Sequence, residues 1–247
     1  MGDVAEIATI AAVFVVAGVV KGVTGMGLPT VAMGLLGALM SPLAAAGLLL
    51  APSFVTNVWQ LLVGPRFGAL ALRLWPMMAG VALGTLLGGS LIASGEVRLT
   101  TAALGGALAL YAGHALLARP WRVPARAEPW AGPLVGAVTG LVTGGTGVFV
   151  VPAAPYLQAL GLERDDLVQA LGLSFTVSTL ALAAALAWRG AFAAGDLGAS
   201  LLAVAPALAG MAAGQAIRSR ISPARFRRWF LLGLLVLGLE MLTRPLR

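Results

Sequence analysis

The chain has 247 residues, of which 60% are hydrophobic and only 10% are Asp, Glu, Lys or Arg. A soluble domain carries about 25% charged residues, so this chain has too little charge to clothe a water-exposed surface, and its mean hydropathy of +0.97 agrees. An ordinary soluble enzyme, a disordered chain and a nucleic-acid-binding domain are excluded. The net charge of +7 is scattered rather than arranged in a basic stripe, and no nucleic acid is expected as a partner. With no cysteine and one histidine, His114, there is no material for disulfides, clusters or a His-rich metal site. The composition points to an all-α polytopic membrane protein, and the bias to Arg over Lys with abundant Ala and Gly points to a GC-rich bacterial genome. Asp3 and Glu6 precede the first apolar run, where a secretory leader carries positive charge, so this segment is expected to remain in the mature chain.

A spanning helix needs about 20 apolar residues. The apolar runs are Val4–Met40, Leu43–Val63, Leu70–Ala93, Leu99–Ala118, Ala131–Leu160, Leu167–Trp188, Leu197–Ile217 and a short Trp229–Leu242. The first and fifth are too long for one straight helix and are interrupted by glycine, which costs about 1 kcal/mol against Ala inside a helix. Both are expected to be broken helices. Ser41-Pro42 reads as a helix cap with Pro at the first position. Gly64-Pro65 closes the second run. Trp59, Trp75, Trp121, Trp130, Trp188 and Trp229 lie near run ends, as interfacial anchors do.

The chain repeats itself. Gly18-Val-Val-Lys-Gly-Val-Thr-Gly25 matches Gly140-Leu-Val-Thr-Gly-Gly-Thr-Gly147, and at the same offset Thr56-Asn57 matches Ser178-Thr179. Pro76, Gly80 and Gly84 match Pro206, Gly210 and Gly214. The reading is a first repeat over residues 1–120, a basic inter-repeat loop over 121–130 and a second repeat over 131–247. If each broken element crosses the membrane once, the 15 arginines divide eight to seven and assign no orientation. If each folds back, they divide eleven to four, with Arg98, Arg189, Arg244 and Arg247 in the minority. Only the second division obeys the positive-inside rule. It gives each half an odd number of crossings, hence two inverted repeats, each a Gly-broken element plus three full spans, with both termini outside.

Inverted repeats with paired broken helices point to a secondary transporter with its site near the midplane. Backbone N–H groups freed at the breaks favour an oxyanion. The expected substrate contacts at the breaks are Thr24, Gly25 and Gly27, with Gly144, Gly145, Thr146 and Gly147 opposite them. Lys21, the only lysine, lies beside the first break. It either supplies charge at the midplane or snorkels from a helix end. Its counterpart is Thr143. Ser53, Thr56, Asn57 and Gln60 fall at i, i+3, i+4 and i+7 on one helix face; Asn57 and Gln60 can donate to an oxyanion. Ser174 and Ser178 share a face in the second half. Gly84-x3-Gly88 reads as helix packing, and Glu240 with Arg244 as a terminal ion pair. No catalytic set, metal site or cofactor motif is present, so no enzyme is expected.

The segments Gly18–Gly27 and Gly140–Pro152, with Val150-Val-Pro152 and Ala170-Leu-Gly-Leu-Ser174, resemble the duplicated signature of the TauE/SafE family, the sulfite exporter group. The resemblance covers nearly the whole chain. It implies export of sulfite or movement of small organosulfur anions across the bacterial cytoplasmic membrane, through about eight spans. Pro29-Thr30 departs from the apolar-Val-Pro usual after the glycines. The combined expectation is a carrier that alternates access by moving one repeat against the other. A passive anion channel with the same lining is the alternative, and a non-transporting membrane scaffold a third reading. The expected partners are a small anion and the lipid bilayer; a coupling proton or ion and a homodimer are compatible with it.

Overall fold

The computed structural model describes residues 4–117, 121–191 and 194–244; Asp3, Ala118, Arg119 and Arg247 lie outside the described residues. The described residues form helices without a strand: α1 (Val4–Thr24), α2 (Leu28–Leu39), α3 (Pro42–Val63), α4 (Phe67–Ala93), α5 (Val97–Leu117), α6 (Glu128–Thr146), α7 (Ala153–Ala159), α8 (Arg164–Trp188), α9 (Ala194–Leu202), α10 (Val204–Ile217) and α11 (Pro223–Thr243). Both overlong runs are broken at their glycines, into α1 with α2 and α6 with α7. Six helical stretches are long and apolar enough to cross a membrane: α1, α3, α4, α5, α8 and Leu197–Ile217. The last is interrupted at Ala203, where α9 gives way to α10. The final helix is longer than its apolar run, because Ser222 caps it by accepting from the Arg225 N–H and Pro223 opens it. Its first two turns therefore carry Arg225, Arg227 and Arg228. Ser41 caps α3 in the same way, accepting from the Ala44 N–H at 3.2 Å.

Helix directions follow from residues that meet. Lys21 bonds to Thr56 and Asn57, and Gly25 to Gln60, so α1 and α3 run side by side in one direction. The intervening α2 runs back, and Gly37, Ala38, Leu39 and Met40 at its end line a depression with Arg98 and Arg244. In the second half, the Ala159 carbonyl at the end of α7 accepts from the Val123 N–H just ahead of α6, so α7 returns to where α6 begins. In both broken elements the second helix thus runs back along the first.

Glycines let backbones touch across the halves. A Cβ on Gly80 or Gly84 of α4 would strike the carbonyl oxygens of Pro133 or Ala137 in α6, and one on Gly140 or Gly144 would strike those of Val81 or Thr85. Reciprocally, a Cβ on Gly210 or Gly214 of α10 would strike Val15 or Val19 of α1, and one on Gly18 or Gly22 would strike Ala207 or Met211. Close approach of this kind is how small residues join helices where lipid supplies no hydrophobic drive. A third pair, α5 with α11, meets at Gly105 and Gly238.

Proline supplies another joint. Pro52 inside α3 has no N–H to give the Leu48 carbonyl. The Ser200 hydroxyl of α9 donates to that carbonyl at 2.9 Å and accepts from the Ala51 N–H at 3.0 Å. Helix α3 is thereby held to α9 at its proline, one turn before its polar face begins. All six tryptophans are more than half exposed, as anchors in a bilayer interface would be.

Candidate functional site

The first break is built by Gly25 at φ 81° and Gly27 at φ 101°, left-handed values that favour glycine. Thr24 closes it locally. Its hydroxyl lies 2.8 Å from the Val20 and Met26 carbonyl oxygens, either of which can take its proton. Thr146 does the same at the second break, donating to the Val142 carbonyl at 2.6 Å and accepting from the Val148 N–H at 3.2 Å, before Gly147 at φ 70°. Both threonines hold the breaks in shape with their hydroxyls.

Beside the first break, Lys21 is 3% exposed. Its ammonium donates to Asn57 Oδ1 and, at 3.1 Å, to Thr56 Oγ1. Thr56 can accept because its own proton goes to the Pro52 carbonyl at 2.8 Å. These partners are neutral oxygens, so none of them supplies a counter-charge to the ammonium form. An ammonium offers three N–H donors; two are used. Because an ammonium can bond only to the amide oxygen, Asn57 turns its Nδ2 elsewhere, and that buried nitrogen has no partner among the described residues.

Gln60 lies one turn further along α3. Its Nε2 donates to the Gly25 carbonyl at 3.0 Å and to the Val168 carbonyl of α8 at 2.8 Å. Both partners are acceptors, which fixes the amide orientation and leaves Gln60 Oε1 buried without a donor. Lys21, Thr24, Gly25, Thr56 and Gln60 form the inner wall of a cavity of about 490 Å³. Arg164 and Asp165 of α8, with Gln215 and Arg218 at the end of α10, also line it.

Of the expected site residues, Gly144, Gly145, Thr146, Gly147, Ser174 and Ser178 do not line this cavity, and neither do Gly27 and Asn57. Gly144 faces the α4 backbone, and Gly145 sits against the Leu91 side chain. A Cβ on Gly147 would meet the Met33 sulfur of α2 at 2.8 Å, so this break packs on the other half's broken element. Ser174 and Ser178 are fully buried, with hydroxyls lacking partners among the described residues. They fall on an α8 face with Leu167 and Leu171, two residues that line the cavity, at i, i+4, i+7 and i+11, and Ala185, further along the helix, abuts the Gly89 position of α4. Gly172 and Gln169 carry further contacts of α8 with α3. The counterparts of Lys21 and Asn57 bond within their own segments: Thr143 to the Val148 carbonyl at 3.2 Å, Thr179 to that of Phe175 at 2.7 Å.

Three contributors were not among the expected site residues. Gln169 caps the end of α3, donating to the Leu61 and Gly64 carbonyls at 2.8 Å each and accepting from the Arg66 N–H at 2.8 Å. Arg164 and Arg218 meet at the cavity only in three dimensions. Gln169 lies in the first turns of an apolar helix, where a buried amide is itself a signal; the arginines carry none beyond charge. His114 lies exposed, and Glu240 pairs with Arg244 at 3.1 Å as expected.

Among the described residues no group of His, Cys, Asp and Glu is placed to hold a metal ion. No curated protein and no solved structure matches the chain. The family model described as Sulfite exporter TauE/SafE matches residues 10–241, from the second turn of α1 to the last turn of α11. With that match spanning both broken elements, the cavity wall and all six long apolar helices, this multi-pass membrane protein belongs to the TauE/SafE sulfite exporter family.

Proposed function

We propose that the protein is a secondary transporter that moves a small oxyanion, of sulfite or organosulfonate type, across the bacterial cytoplasmic membrane. The observation that carries this reading is Lys21. It is an ammonium buried at the inner wall of a cavity, bonded only to neutral oxygens, with an unpartnered amide N–H₂ from Asn57 beside it. A buried cation without a counter-charge is costly, and an anion arriving through the cavity would supply that charge. Arg164 and Arg218 along the wall raise the local concentration of anions.

The described arginines extend the reading to the membrane. The cavity shares its side of the molecule with Arg66, Arg73, Arg122, Arg126, Arg164, Arg218, Arg220, Arg225, Arg227 and Arg228; Arg98, Arg189 and Arg244 lie at the opposite ends of the helices. By the positive-inside rule the cavity opens to the cytoplasm, which suits loading for export, and the two halves are inverted. A carrier fits better than a passive channel because no α1 residue before Lys21 lines the cavity. Beyond it, Phe14 of α1 is fully buried.

The moving bodies in this proposal are not the two repeats. The backbone contacts tie α10 of the second half to α1, and α4 of the first half to α6. Close-packed surfaces of this kind are bistable or rigid, not continuously deformable. Each body therefore contains one broken element and a helix donated by the other half. Purified protein in liposomes should take up labelled sulfite and show trans-stimulation by unlabelled sulfite. Conductance without trans-stimulation would favour the channel, and no flux of any anion would remove the proposal.

A further inference from the structure

Between Asp196 and Glu240 the chain has no acidic residue, yet Arg218, Arg220, Arg225, Arg227 and Arg228 all fall within that stretch. Arg220, Arg225 and Arg228 are exposed, and their side chains have no hydrogen-bond or ion-pair partner among the described residues. We propose that the outer face of α11 holds an anionic phospholipid. Its phosphate sits at Arg225 and Arg228, and an acyl chain runs along the helix past Trp229. This site is separate from the cavity at Lys21 and does not depend on what is transported.

The register of α11 makes the face. Ser222 and Pro223 start the helix early enough to bring the arginines inside its first two turns. From Arg225, the residues Arg228, Trp229, Leu232, Val236 and Leu239 follow at i+3, i+4, i+7, i+11 and i+14, which is one side of a helix. All six are exposed. Leu231, Leu234, Gly238 and Met241 are buried on the opposite side. The exposed side is graded along its length: two guanidiniums, then an indole, then aliphatic side chains. That is the order of headgroup, interface and hydrocarbon in one leaflet. At about 1.5 Å per residue the face runs about 21 Å, enough for a headgroup and about 15 Å of acyl chain. Gly233, one turn after Trp229, leaves a notch in it, where a Cβ would meet nothing within 4 Å. Guanidiniums pair with phosphate oxygens in bidentate fashion, and a headgroup with net negative charge leaves no cation to repel them. A soluble anion would use the two arginines and leave the apolar length of the face without a role. Arg227 is turned the other way, lining a small cavity with Thr24, Gly27 and Tyr111.

Phosphatidylglycerol and phosphatidylcholine with identical acyl chains make a matched pair that differs in net charge. Their binding to the full chain in detergent would be compared by native mass spectrometry, with glycerol 3-phosphate as a soluble headgroup. Phosphatidylglycerol is expected to bind about tenfold more tightly than phosphatidylcholine, the worth of two surface arginines against an anionic headgroup. In the double variant Arg225→Gln with Arg228→Gln the preference should fall to about one. Arg227→Gln, on the inner side of the same turns, should keep it. If the double variant fails to fold, the single variants carry the test, each with an expected loss of about threefold. Equal binding of the two lipids overturns the proposal. So does a double or single variant that keeps the full preference, because the lipid would then sit elsewhere. Displacement of phosphatidylglycerol by an equal concentration of glycerol 3-phosphate overturns it too, since the site would then be one for a soluble anion.

Discussion

Lys21 and Asn57 form a buried hydrogen bond that joins α1 to α3 just before the first helix break. The bond sets two things at once. It solvates the only lysine in the chain with a neutral oxygen, and it orients the Asn57 amide so that its N–H₂ remains for something else. The pair is therefore poised rather than satisfied, as functional sites that sacrifice stability often are.

Lys21→Met should separate function from folding. Removing an uncompensated buried charge while keeping an apolar stem of similar length should raise the melting temperature in detergent by several degrees, and abolish sulfite uptake in liposomes. Asn57→Ala should act oppositely on stability, lowering it by about 1–3 kcal/mol, because it strips the cation of a hydrogen-bond acceptor. A Lys21→Met protein that transports at the wild-type rate would show that the lysine only anchors α1.

How far the sequence alone could reach differs between the halves. The breaks were legible because Gly25, Gly27 and Gly147 cluster within runs too long to be one helix, and positive φ is what such clusters serve. The face of Ser53, Thr56, Asn57 and Gln60 was legible from spacing. Spacing does not say which neighbour a face meets. Ser174 and Ser178 were grouped with Asn57 on that basis; they are buried without hydrogen-bond partners among the described residues and, like Asn57, do not line the cavity. Gly144 and Gly145 resembled ligand glycines by analogy with the first half, but they pack on α4 side by side with Gly88 and Leu91. The cavity wall drew Arg164 and Arg218 from positions more than 50 residues apart, a juxtaposition that periodicity does not encode.

The packing glycines can be tested against glycines that touch nothing. At Gly84 an added methyl would land on the Ala137 carbonyl, whereas at Gly113 of α5 no atom lies within 4 Å. Gly84→Ala should destabilise the protein by about 1–3 kcal/mol through overpacking. Gly113→Ala should be neutral or stabilise it by up to about 1 kcal/mol through helix propensity. Thermal unfolding of the two variants in one detergent gives the comparison. Equal effects would mean that α4 and α6 are not held backbone to backbone.

Gln169 should behave as a structural amide, in contrast to Gln60. Its three hydrogen bonds go to Leu61 and Gly64 at the end of α3 and to Arg66, which opens α4. Gln169→Leu leaves those backbone groups unpaired and should cost about 1–3 kcal/mol. In the folded fraction the KM for sulfite should stay at the wild-type value, because no atom of Gln169 is left to meet a ligand. A raised KM with unchanged stability would move Gln169 into the binding site.

Orientation gives a prediction that does not depend on substrate. Arg164 and Arg218 line the cavity with Gly64 and Gly25, and Arg227 lies near the same break with Thr24 and Gly27. Arg73 pairs with Glu128 at the start of α6, at 2.6 Å. Arg98 and Arg244 share the depression at the far end of α2, and Arg189 at the end of α8 reaches the Leu86 carbonyl of α4 at 2.9 Å. Ten described arginines against three is an asymmetry large enough to orient a multi-pass protein. The side with ten should face the cytoplasm, which places the end of α11 outside. A phosphatase fused after Arg247 should be active and a fluorescent protein that needs the cytoplasm should be dark, with the reverse for fusions after Arg220. A bright, phosphatase-inactive C-terminal fusion would invert the cavity, opening it to the outside and making the bound state one of uptake.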